Sequence, residues 1–404
     1  MQSKMGEKNN IPQIRFNGFD ESWEVKKLGE IGFTYSGLFG KSKIDFGHGE
    51  GKYITYMNIF SNPITNVDIT APIEIDINQN EVEFGDVFFT TSSETPEEVG
   101  MTSVWLGSGK NTYLNSFCFG YRLTEELDSY FIAYLLRSFN TRKKITYLAQ
   151  GISRYNISKN KVMQICISRP KISEQYHIGS YFQNLDKLIT LQQQKHDKLV
   201  TLKKAMLDKM FPKEGADVPE IRFKGYTEDW EEKKLGAEVK ITMGQSPNGM
   251  YYTDNPENYI LVQGNADMKN GRVSPRVWTT EITKTAESGD LIISVRAPVG
   301  DIGKTDYDVV IGRGVAGIRG NEFIFQSLIR LNELGYWKQF SSGSTFESIN
   351  SNVLKEAVLS IPSKDEQTKV GHFFKSFDQL INLQKRELEK LKQIKKACLE
   401  KMFV

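Results

Sequence analysis

The chain has 404 residues, 39% hydrophobic and 25% charged, with a formal net charge of +2. That composition builds ordinary cores and excludes a wholly disordered chain or a small cross-linked scaffold. The near-neutral balance means that nucleic-acid binding has to be argued from something other than net charge.

Residues 1–10 are polar, carry no apolar segment of the secretory kind, and read as a disordered N-terminus. No run approaches the roughly 18 apolar residues of a membrane span. Cys118, Cys166 and Cys398 lie far apart, with neither CxxC nor zinc spacing. A reducing, cytoplasmic location is expected.

From Ile11 onward the chain repeats itself. Ile11–Gly29 matches Val218–Gly236 at 12 of 19 positions, including Trp23/Trp230 and Leu28/Leu235. Ser168–Phe211 matches Ser360–Phe403 without a gap at 20 of 44 positions, and both copies end in K-K-A-x-L-x-K-M-F. Between these anchors the blocks Glu30–Gln150 and Ala237–Ser342 show no comparable match. The spacing predicts an α+β chain with strand-rich domains at 11–170 and 214–362. Two long helices at 171–213 and 363–404 separate the domains, in pseudo-two-fold arrangement, as an antiparallel coiled coil. One mechanical job done twice on two different targets fits this plan; a duplicated scaffold whose inserts drifted is the plain alternative.

In the first block, Val87–Thr91 reads as a strand and Asp128–Phe139 as a helix; in the second, Leu291–Val295 and Val309–Ile311 read as strands and Phe323–Leu334 as a helix. Loops at Gly151–Ser153 and Gly343–Thr345 close the blocks, and Pro170 and Pro362 end the strands that follow. Ser173 and Asp365 fit N-cap positions, with Glu174 and Glu366 in the first turn. Leu185, Gln192, Leu199 and Met206 recur every seven residues, as do Phe377, Gln384, Leu391 and Cys398. Phe182, Leu188/Ile189, Leu202 and Met210, and Phe374, Leu380/Ile381, Leu388, Ile394 and Met402, supply a second row. Each helix spans about 54 Å, about one and a half turns of B-DNA.

Catalytic motifs fail in context. Gly312, Gly314 and Gly317 follow a strand, but Ile318-Arg319-Gly320-Asn321 does not open the helix a dinucleotide site needs. Gly303-Lys304-Thr305 and Gly40-Lys41-Ser42 lack the upstream glycine of a phosphate loop. Asp254-Asn255-Pro256-Glu257 lacks the second proline and the aromatic of an amino-methyltransferase motif. His48, His177, His196 and His372 make no ligand spacing. No catalytic, metal or cofactor constellation is expected.

Glu30–Gln150 carries 9 basic and 15 acidic residues, whereas Gly151–Pro170 carries 4 and none. Phosphate contacts dominate non-specific affinity, so either the blocks do not bind nucleic acid or a partner supplies much of the backbone grip. Amide, hydroxyl and Arg groups near turns can read base edges. The candidates are Tyr53, Thr55, Tyr56, Asn58, Thr91, Ser92, Ser93, Ser153 and Arg154, then Gln245, Ser246, Tyr251, Tyr252, Gln263, Asn265, Ser294, Arg296 and Thr345. Arg296, between an apolar strand and a Pro-Val-Gly turn, is the leading single choice.

The duplicated W-x4-L-G anchors, the paired helix starts Pro170/Glu174/Gln175 and Pro362/Glu366/Gln367, and the two unlike blocks resemble the specificity subunit of a type I restriction-modification system. So do Gly85-Asp86-Val87-Phe88-Phe89 and Gly289-Asp290-Leu291-Ile292-Ile293, which are similar to that family's target-recognition domains. The resemblance covers nearly the whole chain beyond Asn10. It implies a non-catalytic subunit whose domains each read one half of a split DNA sequence. The helices would act as spacer and dock for two methyltransferase subunits that hold S-adenosylmethionine, with motor and nuclease subunits joining for restriction. An enzyme with its own active site and a duplicated coiled-coil adaptor without DNA readout are the competing classes.

Overall fold

The computed structural model describes residues 10–340 and 348–404. Its contacts divide into two units, one running to Gln192 and completed by Glu387–Val404, the other spanning Gln193–Arg386. Each unit takes in the start of one long helix and the end of the other. Asn10 belongs to the first unit rather than to a loose terminus. Its side-chain amide donates to the Trp23 carbonyl and accepts from the Ser168 hydroxyl.

In the first unit, Gly32–Ser36, Cys118–Leu123, Val87–Thr90 and Thr102–Val104 form an antiparallel four-stranded sheet in that order. Thr70–Ile73, Phe46–Ile54 and Thr112–Leu114 form a three-stranded sheet. Val87–Thr90 is buried throughout because it is covered on both faces. Val87 and Phe89 join the cluster around Trp23 and Phe131, while Phe88 joins the one around Trp105 and Ile54. The second unit uses the same device: Leu291 and Ile293 face the cluster around Trp230 and Phe323, and Ile292 faces Val262 and Ile311. Its two larger sheets have six and five strands. Val309–Ile311 turns into a second strand, Val315–Arg319, so the Gly312–Gly317 run is strand and turn and opens no helix.

The Gly-Asp phrases are turns with a built-in cap. Gly85 and Gly289 have φ of +88° and +95°, a region that disfavours side chains. Asp86 then accepts from the Glu83 amide at 2.7 Å, and Asp290 from the Glu287 amide at 2.9 Å. Asp86 also takes the Tyr35 hydroxyl and the Arg122 guanidinium, which leaves this buried carboxylate fully partnered.

The anchors carry the repeat into three dimensions. Glu24–Lys27 pairs antiparallel with Cys166–Arg169, and Glu231–Lys234 with Val358–Ile361. Arg15 forks onto Glu174 and Arg222 onto Glu366, each carboxylate being almost wholly buried. Gln175 and Gln367 donate to the carbonyls of Pro170 and Pro362.

The long helices run Ile172–Lys209 and Lys364–Lys401. The expected caps Ser173 and Asp365 lie inside the first turn. The early helical amides instead return to Lys171 in one helix and to Ser363 in the other, two residues earlier. Gly179 and Gly371 allow close approach of a domain helix: a methyl group there would fall 2.9 Å from the Phe131 and Phe323 amides. Those helices, Ser129–Arg137 and Glu322–Glu333, are capped by Asp128 and Asn321.

The helix ends are core residues. Met402 and Phe403 are buried with Trp23 and Phe131 in the first unit, and Met210 and Phe211 with Trp230 and Phe323 in the second. Within the first unit, Lys395 reaches Asp186 at 2.5 Å and Gln192 donates to Glu387. Within the second, Lys203 reaches Asp378 at 2.7 Å. The start of one helix thus lies antiparallel to the end of the other in each unit. Asp186 also accepts from Tyr134, and Asp378 from Gln326, so the same two carboxylates tie each domain helix to the pair.

One part of the expected stripe is corrected. Leu188, Leu202, Leu380 and Ile394 are exposed. The inward row is Phe182, Ile189, His196, Lys203 and Met210, with Phe374, Ile381, Leu388, Lys395 and Met402 at matching positions.

Candidate nucleic-acid interface

In the first unit, four segments converge at one end of the four-stranded sheet. Ser92–Ser93 continues its central strand and pairs with Tyr155–Asn156. Thr55 caps the short helix Tyr56–Ser61. The Tyr56 hydroxyl donates to the Ser92 carbonyl at 2.8 Å, and burial raises its pKa. Thr91 bonds the Phe117 carbonyl through both amide and hydroxyl. Ser153 and Arg154 stand exposed on the adjoining turn. Tyr53 belongs elsewhere, on the three-stranded sheet, with its ring 5.1 Å from that of Phe46.

Two buried arginines hold these segments. Arg137 donates to the carbonyls of Ile59, Phe60, Asn62 and Thr102, which fixes the C-terminal end of the helix that carries Tyr56. Arg142 donates to Glu97, Val99 and Gly100 in the loop after Ser93. Burial pushes their pKa values down, to about 9 and about 10, at Arg137 with a further push from Arg142 that Asp186 partly offsets. Arg137→Met would strand four carbonyls and is expected to cost about 3 kcal/mol or more in a denaturant titration; a stability change under about 1 kcal/mol would contradict this role.

In the second unit the corresponding strand end is Arg296, which bridges to Ser348 as Ser92 does to Asn156. Val295 donates to the Gly314 carbonyl, and the Arg313 amide donates to the Ser246 hydroxyl. Gln263 packs against Gly312, and Asn265 follows on a single turn pinned by Asp267, which accepts from the Gln263 and Gly264 amides. Gln245, Ser246, Gln263, Asn265 and Arg296 therefore share one end of the unit. Tyr251 and Tyr252 are exposed where Tyr252–Thr253 pairs with Trp278–Thr279.

Two candidates are corrected by burial. Asn58 is 3% exposed and donates to the carbonyls of Asn66 and Ile69. Ser294 is 1% exposed and donates to Arg296 and Pro298. Neither presents a group to a duplex. Ser92 and Ser93 are also buried, so the strand supplies backbone and position more than side chains. Thr345 and the loop Gly343–Thr345 lie outside the described residues.

Three further side chains belong to these surfaces. Lys159 donates to the Ser36 hydroxyl at 2.8 Å beside the Phe119 ring. Phe117 is exposed next to Thr91. Arg313 is exposed on the Gly312–Gly314 turn; its signal was a lone arginine between glycines, hidden once that run was set aside as a cofactor motif. Arg154 and Lys159 both come from the basic segment after the acidic block, which offsets the local charge where the first surface lies. Among the described residues no group of His, Cys, Asp and Glu is placed to hold a metal, and no helix is long and apolar enough to cross a membrane.

The family described as Type I restriction modification DNA specificity domain matches residues 20–201 and again 227–393. The chain belongs to that family. It is 27% identical over 412 residues to the putative type I restriction enzyme MjaX specificity subunit of Methanocaldococcus jannaschii, covering 96% of this chain and 95% of that protein. The MjaIX specificity subunit of the same organism is 26% identical over 121 residues, 29% of this chain and 28% of that one. Among solved structures, the type I restriction-modification S subunit from M. genitalium aligns with a TM-score of 0.63 at 16% identity, covering 98% of this chain and 99% of that chain. A chain from a study of assembly and conformational transition of a type I R-M system aligns at 0.57 and 22%, covering 94% and 97%. These likenesses establish the fold.

Proposed function

We propose that this chain is the non-catalytic specificity subunit of a type I restriction-modification complex, reading a split DNA target with one half-site per domain. The observation that carries the reading is the repetition. Equivalent strand ends, Ser92 and Arg296, are framed by repeated anchors but surrounded by different side chains, as two readers of different sequences require. Exposed Tyr, Gln, Ser and Arg groups supply the donors and acceptors for base edges. Methylation then belongs to partner methyltransferase subunits, which hold S-adenosylmethionine and flip the adenine. The setting is the cytoplasm, where chromosome and partners meet.

The helices offer the dock. Leu188 and Leu191 are exposed in the first unit, and the equivalent Leu380 and Leu383 in the second. Two equivalent apolar patches fit two copies of one partner.

The test is a gel-shift titration over a range of salt, with and without the methyltransferase. Selective, salt-sensitive binding that tightens with the partner supports the reading. A stable complex that binds all duplexes equally would favour a coiled-coil adaptor. Within the complex, Arg296→Ala is expected to weaken binding about tenfold or relax the second half-site alone. Unaltered methylation at every site would contradict that assignment.

A further inference from the structure

We infer that Ile152 is an apolar wedge that enters the base stack at the first half-site and opens it for the adenine that leaves the duplex; this rests on the specificity reading above. Ile152 is 97% exposed, the most exposed large apolar side chain among the described residues. A single exposed aliphatic on a loose loop would mean little, but this one stands on a built turn. Gln150 and Asn156 exchange two backbone hydrogen bonds of 2.9 Å beneath it. Gly151 has φ of +144°, and a methyl group there would fall 2.0 Å from the Arg154 carbonyl, so the turn closes only with glycine. Asn156 and Tyr155 pair with Ser92 and Ser93, which fixes the turn against the surface assigned to DNA.

The neighbours suit a duplex. Ser153 and Arg154 stand exposed beside Ile152, and Lys159 follows three residues after the hairpin closes. The segment Gly151–Pro170 has 4 basic residues and no acidic one, after a block with an acidic surplus. Cationic groups flanking a rigid, protruding branched aliphatic are what proteins use to hold phosphates while a side chain unstacks a base step. Unstacking costs a few kcal/mol, and an adenine beside an already opened step leaves the stack more easily.

The experiment uses the full chain with its methyltransferase and duplexes carrying the motif read from a methylation map. 2-Aminopurine replaces one base at a time through the first half-site. The native complex is expected to give a rise in fluorescence at one step. Ile152→Ala should abolish most of that rise and slow methylation of the first half-site roughly tenfold, a barrier change of about 1.4 kcal/mol. Methylation of the other half-site should hold its rate, and Ile152→Phe should retain the rise. If Ile152→Ala keeps both signals, the wedge is wrong and the specificity reading stands. If the variant instead loses the methyltransferase, Ile152 is a protein contact and the wedge is again overturned. If the native complex selects no sequence, the specificity reading fails and the wedge falls with it.

Discussion

Exchange of Glu30–Gln150 for the corresponding block of another family member is expected to replace one half of the methylated motif and leave the other half and the spacing unchanged. The residues at the seams explain why the exchange should fold. Trp23 and Leu28 on one side and Ile165 and Ile167 on the other contribute to the same buried cluster as Phe403, and all lie outside the exchanged segment. The graft must bring its own helix start against Gly179, since the Asp128–Phe131 turn fits there with no room for a methyl group. The readout is base-resolved methylation of host DNA. Change in both halves would show that one block influences the other's reading and would end the modular account.

Insertion of four residues in the exposed middle of the first long helix should lengthen the gap between half-sites. Four residues add about 6 Å of rise and a rotation of about 40°. At 3.4 Å per base pair that is about two base pairs. The helix ends are held by Arg15–Glu174 at one end and by Phe211 packed on Trp230 and Phe323 at the other. The added length therefore has no slack in which to disappear. An unchanged gap at full activity would show that spacing is set elsewhere.

Much of the frame was legible because it is written twice. Pro170 and Pro362 located the helix starts to within two residues, and the ungapped match fixed the two helices at equal length. The inward row was harder. Leu188 and Leu202 look like core residues by type, but the 3–4 alternation turns them outward and brings in His196 and Lys203. A lysine serves there because Asp378 receives it, and no local pattern announces a carboxylate 175 residues away.

At the candidate surfaces, turn chemistry and strand ends pointed to Thr91–Ser93 and Ser294–Arg296, which the structure places at equivalent strand ends. Which side chains face outward was not legible. Strand alternation gives two faces, yet both faces of these strands are covered, so Ser294 turned inward where an exposed hydroxyl was expected. Arg137 shows the opposite limit. Nothing in its local sequence marks it as buried, and only the fold brings four carbonyls around it.

The most direct measurement is a base-modification map from a host without adenine methylation at such sites, in which this chain is expressed with its methyltransferase. Methylated adenines confined to one split motif, and absent when the chain is omitted, are the predicted result. A stable complex that adds no methylation, or methylation independent of this chain, would contradict the assignment of sequence specificity to it.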